Sequence, residues 1–346
     1  MKIYKLALIG FGNVGQGLAR ILSEKYDFLK SHHEVDIRIV AVCDAIKGSV
    51  ANAEGLDPAE LLDQLGRDGD LRNMHPYHND WNATQTIERS GASIMLELTP
   101  THLATGEPAL THVKQALRRG MHVSMPNKGP LVTDYPALRT LAKENGAVLG
   151  VEGTVMSGTP ALCLARESLM AAGISQVQGI LNGTTNYMLD AMEHGCDFET
   201  ALAQAQSNGY AEADPSGDVD GHDAAAKVVI LGNLLMDLPL SLQDVACEGI
   251  SGLTQEDIQS ARDNNQHWKL LATIKRNSAG YHASVKPERI SADHPLASVR
   301  GATNAITYQT EILGEVTLIG PGAGRMETGF ALVEDILAIH SQCNHD

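Results

Sequence analysis

The first 44 residues carry the pattern that most restricts the fold. Residues 3–9 (IYKLALI) have the β-rich composition of a strand, and the glycine motif GFGNVG follows at residues 10–15. A helical stripe of apolar residues comes next, and residues 35–43 (VDIRIVAVC) form a second strand pattern that ends at Asp44. The order strand, GxGxxG, helix, strand and acid is that of a βαβ unit that binds a dinucleotide.

In such a unit the glycines permit a tight turn and let the backbone approach a pyrophosphate, which lies at the N-terminus of the helix. The context therefore predicts cofactor binding by this loop, although GxGxxG alone also occurs in ordinary glycine turns. The residues concerned are Gly10, Phe11, Gly12, Asn13, Val14 and Gly15.

Asp44 lies further from the glycines than the usual spacing of about 20 residues. A longer helix and a polar loop absorb the excess. A carboxylate at this point can accept hydrogen bonds from both ribose hydroxyls of NAD and repels the 2′-phosphate of NADP. Lys47 follows closely and weakens that repulsion, so the sequence favours NAD only slightly over NADP.

Alternating strand and helix patterns continue to residue 150. Residues 49–90 are polar and mixed, and we expect helices and a loop there. Residues 93–99 and 121–125 predict buried strands, with a helix at 104–119 between them. This alternation extends a parallel sheet, which gives an α/β fold.

Ligands of such sheets bind at the carboxyl ends of the strands. Thr99 ends one predicted strand, and Pro126, Asn127 and Lys128 follow the next. We therefore expect Thr99 and the 126–128 segment in the cofactor cleft.

After residue 150 the pattern becomes α+β. Residues 174–181, 268–285 and 304–319 predict strands, with a hairpin turn at 277–280, so a mixed or antiparallel sheet is expected. Helices are predicted at 161–170 and elsewhere, and the chain closes with an amphipathic helix at 326–341.

The stretch 209–231 places five carboxylates within twelve residues, followed by an apolar helical pattern with one lysine. Asp223 and Lys227 stand four apart and share one face of that helix. One interpretation is a solvated acidic loop at a helix start, where acids are favoured. The other is a site in which the lysine works among the carboxylates, and spacing alone leaves both open.

Composition excludes several classes of protein. The net charge of −16 argues against binding to nucleic acid or to anionic membranes. Apolar runs fall short of the roughly 18 residues that a membrane span needs. The five cysteines are scattered without a CxxC motif, which predicts reduced thiols in a cytoplasmic protein and argues against a zinc site.

Taken together, the motifs resemble those of homoserine dehydrogenases over essentially the whole chain. The motifs are GFGNVG (10–15), PNK (126–128), EGTV (152–155), LNGTTNY (181–187), the acidic element (209–227) and GPGAGR (320–325). The resemblance implies an NAD(P)-dependent enzyme that interconverts L-homoserine and L-aspartate 4-semialdehyde, in the threonine and methionine branch of amino-acid biosynthesis.

The same resemblance implies a domain arrangement. A Rossmann dinucleotide-binding domain is expected at 1–150, with a helix at 325–346 that returns to it. An α+β catalytic and dimerisation domain is expected at 151–324, and the protein is expected to form a homodimer. Because the chain stops near residue 346, we expect no C-terminal regulatory domain.

Individual roles follow from the positions within the motifs. By its position, Lys227 resembles the lysine that donates and accepts the proton in this family, and Lys128 resembles a second active-site lysine. Glu212 and Asp223 resemble substrate ligands, with Asp218 nearby, and Asp223 also belongs with the catalytic lysines. The residues implied to contact the cofactor are Thr99, Lys128, Gly209, Gly322 and Gly324.

The loop that contains Glu152, Val155, Ser157 and Thr159 resembles a monovalent cation site for Na⁺ or K⁺, built mainly from backbone carbonyls. Met156 departs from the small residue that many family members have there. Ligation by the backbone tolerates this change.

Homoserine carries an ammonium group, a carboxylate and the reacting hydroxyl. Glu212 is the natural partner for the ammonium group. A lysine can take the hydroxyl proton only if its pKa falls well below its ordinary value of about 10.4. Desolvation and a second cation such as Lys128 act in that direction, whereas Asp223 opposes the shift but positions Lys227.

Two other functions remain compatible with these motifs. One is a dehydrogenase on the same scaffold for another small amino or hydroxy acid, which a panel of amino alcohols would separate. The other is a non-catalytic NAD(P)-sensing protein. The joint presence of Lys128, Glu212, Asp223 and Lys227 argues against the second.

Overall fold

The computed structural model describes residues 1–278 and 280–345. Ala279, in the predicted hairpin turn, and Asp346, at the end of the predicted C-terminal helix, lie outside the described residues. The chain divides into two compact units, Met1–Gly158 with Gly324–Asp346, and Thr159–Ala323.

The first unit is built on a seven-stranded sheet. Its strands are β1 (Lys2–Ile9), β2 (Val35–Asp44), β3 (Gly48–Leu56), β4 (His78–Asn79), β5 (Ile94–Glu97), β6 (His122–Ser124) and β7 (Leu149–Gly150). The spatial order is β4-β3-β2-β1-β5-β6-β7. The strands from β2 to β7 in this order run parallel, and β3 and β4 add an antiparallel edge. The predicted α/β sheet is thereby confirmed.

Five helices connect these strands: α1 (Asn13–His32), α2 (Pro58–Asp68), α3 (Ala83–Arg89), α4 (Ala109–Arg118) and α5 (Gly129–Glu144). In α1 the apolar stripe of the sequence becomes the buried face, on which Leu18 and Leu22 pack into the core of the unit. The α2 helix begins at Asp57, whose side chain accepts a hydrogen bond from the backbone N–H of Ala59.

The prediction of only helices and a loop for residues 49–90 is wrong at β3. Asp44 causes the difference, because its Oδ1 atom accepts the backbone N–H groups of Ile46 and Lys47, each at 2.9 Å. The tight turn returns the chain antiparallel to β2. Val50 is fully buried there, but much of β3 lies at least partly exposed, which explains its polar composition.

The second unit contains a six-stranded sheet. Its strands are β8 (Ile174–Ile180), β9 (Ala246–Cys247), β10 (Gln266–Asn277), β11 (Gly280–Ser291), β12 (Thr303–Thr310) and β13 (Gly314–Pro321). The spatial order is β13-β12-β8-β10-β11-β9. All pairs are antiparallel except β11 with β9, so the sheet is mixed.

Its helices are α6 (Ala161–Cys163), α7 (Gly183–Glu193), α8 (Phe198–Ser207), α9 (Ser216–Val219), α10 (His222–Leu235) and α11 (Gln255–Asp263). The helix predicted at 161–170 is present over residues 161–168, but only α6 is α-helical, and it passes into a π-helical turn at Leu164–Ser168. A separate 3₁₀ turn follows at Met170–Ala172.

One cation of the second unit is buried in its interior. Lys269 on β10 is 1% exposed, and its Nζ donates to Oδ1 of Asn186 at 3.0 Å and to the carbonyl oxygen of Val299 at 2.6 Å. Burial, together with the charge of Arg300, lowers the pKa of Lys269 to about 8 against the opposing effect of Glu193. The unfolded chain therefore binds more protons than the folded chain between pH 8 and pH 10.5.

We expect this difference to appear in the pH dependence of stability. As pH increases through that window, the free energy of unfolding of the wild-type protein should rise by about 3 kcal/mol more than that of Lys269→Met. Urea denaturation at stepped pH values measures it. Lys286→Met, at an exposed lysine of β11, serves as the control with an unchanged pH profile. Parallel profiles for wild type and Lys269→Met would contradict the assignment.

The last described helix, α12 (Arg325–His345), belongs to the first unit. It packs on α1 at Gly17, where a Cβ atom would lie 2.1 Å from the carbonyl oxygen of Arg325. Leu332 and Ile336 join the core around β1 and β2. None of the described helices has the length and apolar character of a membrane span.

Candidate active site

The glycine loop joins β1 to α1 at the carboxyl edge of the first sheet. Gly10 has a φ of +97°, and a Cβ atom there would lie 2.7 Å from the carbonyl oxygen of Leu98. Gly12 is the N-cap of α1, no side chain caps it, and the first turn carries no acidic residue. The first N–H groups of α1 thus remain available to an anion, which fits the pyrophosphate of a dinucleotide.

Asp44 connects this loop to the end of β2. Its Oδ2 atom accepts the backbone N–H of Phe11 at 2.8 Å, in addition to the two N–H groups bound by Oδ1. Burial acts to raise the pKa of Asp44, but these three donors and Lys47 outweigh it and hold the pKa below its usual value. A carboxylate has about four acceptor positions, so about one remains for a ribose hydroxyl rather than the two that the sequence suggested.

Two further strand ends meet beside the glycine loop. The Nδ2 atom of Asn127 donates to the carbonyl oxygen of Thr99 at 2.9 Å, and its Oδ1 accepts the N–H of Gly129 at 3.0 Å. Lys128 lies between Asn127 and Gly129 and is the N-cap of α5. The segments of Thr99 and of residues 126–128 therefore lie together, as their positions after β5 and β6 predicted.

In the second unit, the ion pair between Asp223 and Lys227 lies on α10. The Nζ atom of Lys227 is 2.8 Å from Oδ2 of Asp223 and donates to the carbonyl oxygen of Leu181 at 2.6 Å. Lys227 is only 6% exposed, which is not the geometry of a solvated surface pair. An ammonium group has three hydrogens, so one remains for a ligand after these two bonds.

Asn182 joins a third carboxylate to this pair. It is the N-cap of α7, and its Nδ2 donates to Oδ1 of Asp218 at 2.6 Å and to Oδ2 of Asp223 at 3.2 Å. Burial raises the pKa of Asp218, and the neighbouring charge of Asp223 adds to the effect of burial against the lowering by Asn182. The result is a compact group of two carboxylates, one amide and one ammonium.

Glu212 and Gly209 lie outside this group. Glu212 is exposed, and its backbone carbonyl accepts a hydrogen bond from Gln206 at 3.0 Å. Within the described part of the chain, its carboxylate forms no hydrogen bond or ion pair. Gly209 follows α8 with a φ of +74°. The structure therefore groups Asp218, Asp223 and Lys227, and leaves the Glu212 carboxylate open.

The second glycine loop contains Gly322 and Gly324. A Cβ atom on Gly322 would lie 2.1 Å from Cγ of Asn304, so the side-chain amide of Asn304 lies directly against the loop. Asn304 is fully buried, and neither of its amide atoms has a hydrogen-bond partner among the described residues. Gly324 has a φ of +146°.

The loop that resembles a cation site shows two left-handed residues. Met156 and Ser157 have φ values of +58° and +54°. The hydroxyl of Ser157 is bonded to that of Thr328 at 2.7 Å, and the hydroxyl of Thr159 donates to the carbonyl oxygen of Pro321 at 2.9 Å. Both hydroxyls are thus bonded within the protein, and ligation through the backbone carbonyls of this loop stays a prediction.

Comparison with known proteins gives the family. A family model for homoserine dehydrogenase matches residues 160–337, and a model for the NAD binding domain of homoserine dehydrogenase matches residues 10–152. The NAD(+)-dependent homoserine dehydrogenase of Pseudomonas canavaninivorans is 46% identical over 341 residues, which cover 98% of this chain and 97% of that protein. The chain belongs to the homoserine dehydrogenase family.

Solved structures agree with this assignment. A putative homoserine dehydrogenase from Archaeoglobus fulgidus has a TM-score of 0.87 at 33% identity, over 97% of this chain and 99% of that one. A hyperthermophilic archaeal homoserine dehydrogenase in complex with NADPH has a TM-score of 0.85 at 30% identity, over 99% and 98% of the two chains. Both the resemblance and the fold expected for a homoserine dehydrogenase are confirmed, and with them an NAD(P)-dependent oxidoreductase.

Three polar residues of this homoserine dehydrogenase have no role that was predicted from the sequence. In the sequence Asn182 is only one residue of the LNGTTNY motif, whereas in the structure it holds Asp218 and Asp223. Asn304 and Glu97 are fully buried, and each stands in a predicted strand. A polar residue within an otherwise apolar strand end is the one feature that distinguishes Glu97 in the sequence.

Proposed function

We propose that the protein oxidises L-homoserine and reduces L-aspartate 4-semialdehyde, with Lys227 as the group that moves the proton. The observation that carries this proposal is the buried Nζ of Lys227, which is fixed by Asp223 and by the carbonyl oxygen of Leu181. A general acid or base needs such a fixed position within hydrogen-bond reach of its substrate.

Residues of this chain transfer the proton and bind the substrate. The third hydrogen of the Lys227 ammonium group donates to the aldehyde oxygen during reduction, and the neutral amine accepts the hydroxyl proton during oxidation. Asp223 keeps the amine oriented in both directions. When bound, the nicotinamide cofactor donates or accepts the hydride. The open carboxylate of Glu212 binds the substrate ammonium group, and Asp218 contributes a further acceptor.

We propose NAD as the preferred cofactor, bound by the 10–15 loop, Asp44, Thr99 and Lys128. The support is the ionised carboxylate of Asp44 at the end of β2, which repels a 2′-phosphate. The relative from Pseudomonas is described as NAD(+)-dependent, whereas the archaeal structure contains NADPH. Gly209, Gly322 and Gly324 are proposed as further cofactor contacts.

The decisive experiment measures initial rates with L-homoserine and other amino alcohols, with NAD or NADP, and with Na⁺, K⁺ or neither. We expect homoserine to be the best substrate and NAD the better cofactor. A lack of homoserine turnover under all of these conditions would contradict the proposed reaction.

Asp44→Asn tests the cofactor preference directly. Removal of the negative charge should raise the kcat/KM ratio of NADP to NAD by about tenfold, since one relieved repulsion of about 1.4 kcal/mol has that effect. Asp63→Asn, at an exposed acid of α2 in the same unit, provides the control. An unchanged ratio would remove Asp44 from the basis of the preference.

Three finer assignments belong to the proposal. A monovalent cation is proposed at the carbonyls of the loop Glu152, Val155, Ser157 and Thr159, and the salt arms of the rate assay test it.

A homodimer is proposed because β13 forms a sheet edge with Ile319 half exposed, and such edges pair readily with another chain. A cytoplasmic location is proposed because all five cysteines are free thiols.

A further inference from the structure

The first unit contains a buried carboxylate to which the proposed reaction gives no role. Glu97 ends β5 and is 0% exposed. Its Oε1 atom accepts the backbone N–H of Thr99 at 2.9 Å and also the Thr99 hydroxyl. Its Oε2 atom lies 2.8 Å from Nδ1 of His112, a residue of α4 that is 9% exposed.

A buried carboxylate is costly in this position. Removal of an ionised group from water costs several kcal/mol unless hydrogen bonds and charges replace the lost hydration. Glu97 has three donors for its two oxygens, and all three come from two residues, Thr99 and His112. An apolar side chain would fill a strand end without this cost, so the carboxylate serves the residues that it binds.

Those residues stand at the dinucleotide site. Thr99 directly follows Leu98, whose carbonyl oxygen would be only 2.7 Å from a Cβ atom on Gly10. The backbone carbonyl of Thr99 is bound by Asn127, the residue before Lys128. Glu97 therefore fixes the N–H and hydroxyl of Thr99, while Asn127 fixes its carbonyl. The whole residue is held between the first glycine of the loop and the start of α5.

The hydrogen bonds also determine the polarity of the Thr99 hydroxyl. An ionised carboxylate can only accept hydrogen bonds, and a hydroxyl has a single hydrogen. The Thr99 hydroxyl donates that hydrogen to Glu97, which leaves only lone pairs for a ligand. For the same reason Nδ1 of His112 carries the hydrogen of its bond to Glu97, so His112 keeps Oε2 occupied and Oε1 facing Thr99.

We propose that Glu97 and His112 are a positioning pair that makes Thr99 an acceptor-only contact for the dinucleotide. Thr99 then takes a donor of the cofactor, either the N–H of the carboxamide or a ribose hydroxyl. This assignment rests on the proposed use of NAD and adds the residues that set the geometry and polarity of one cofactor contact.

The test is a double-mutant cycle on NADH affinity, which is measured by fluorescence titration in the absence of substrate. Thr99→Val keeps the backbone N–H but removes the hydroxyl, and should weaken NADH about tenfold, the effect of one lost hydrogen bond of about 1.4 kcal/mol. Glu97→Ala should weaken it by a similar factor. In the Glu97→Ala background, Thr99→Val should cost less than about twofold, because residues that act through one contact are not additive.

Glu97→Gln keeps the size of the side chain and provides a second test in case Glu97→Ala does not fold. Its amide oxygen can still accept from Thr99, but its Nε2 meets His112 only if Nδ1 of that ring becomes an acceptor. We therefore expect a loss of about threefold, between wild type and Glu97→Ala. Asp36→Asn is the matched control, since Asp36 is a buried carboxylate of the same sheet bonded to Arg38, at the amino end of β2. Its NADH affinity should stay at the wild-type value.

A cofactor analogue separates the two candidate donors. An NADH analogue with an acetyl group in place of the carboxamide lacks the N–H donor but keeps the ribose hydroxyls. If Thr99 binds the carboxamide, Thr99→Val should not lower the affinity for this analogue. If Thr99 binds a ribose hydroxyl, Thr99→Val should lower the affinity for the analogue as much as for NADH.

Two results would overturn the proposal. One is wild-type NADH affinity in Glu97→Ala, and the other is an equal cost of Thr99→Val with and without Glu97. Because NADH binding is measured without homoserine, these results stand apart from any failure of the proposed reaction. Absence of NADH binding by the wild-type protein would instead contradict the proposed cofactor.

Discussion

Replacement of Lys227 by alanine is expected to lower kcat by a factor of about 10² to 10⁴, the usual contribution of a general acid or base. The side chain provides the only hydrogen that α10 offers to the reacting oxygen in the proposed mechanism. The dissociation constant of NADH should change by less than about twofold, since one hydrogen bond is worth about tenfold and none to the cofactor is assigned to Lys227. Steady-state kinetics and fluorescence titration measure the two effects.

The Lys227→Ala change also leaves Asp223 and the carbonyl oxygen of Leu181 without their partner. Lys227→Met, which preserves most of the volume, is therefore made in parallel, and the melting temperature of both variants is recorded. Lys286→Met is the control at an exposed lysine of the same unit. Turnover near that of wild type in either folded variant would remove Lys227 from the mechanism.

Glu212→Gln is expected to raise the KM for homoserine by about 10- to 100-fold, because a hydrogen bond to a charged group is worth about 1.5–3 kcal/mol. The substituted side chain keeps its size and its acceptor oxygen but loses the charge that binds the ammonium group. The value of kcat at saturating homoserine should change much less. The carboxylate is exposed, so the substitution leaves the folded chain otherwise intact.

Full substrate-saturation curves separate KM from kcat for this variant. Glu199→Gln, at an exposed glutamate in the first turn of α8, is the matched control and should behave as wild type. A fall in kcat with an unchanged KM would show that Glu212 does not bind the ammonium group.

The first sheet could be predicted from the sequence because its signals are local. The strand, glycine loop and helix at residues 2–32 follow one another without interruption, and β1, β2 and β5 each contain an apolar run of at least three residues. β3 was not predicted as a strand, because its composition is polar and its pairing depends on a turn that Asp44 holds with one carboxylate oxygen. Side-chain capping of this kind appears in the sequence only as another acidic residue.

The candidate site shows the same division. The pair of Asp223 and Lys227 could be predicted because a spacing of four places both on one helix face. Asn182 binds Asp223 from 41 residues away, and Lys269 binds Asn186 from 83 residues away. Contacts at such separations depend on how β8, β10 and α7 pack, and no periodicity along the chain encodes them.

The place of α12 has a consequence for how the protein is made. Leu332 and Ile336 complete a core whose other side is formed by β1, β2 and α1, from the opposite end of the described chain. The contiguous stretch 159–323 contains every strand of its own sheet, whereas β1, β2 and α1 lack part of their core until α12 is in place. During synthesis the core of the first unit can therefore be completed only after the strands of the second unit have been translated.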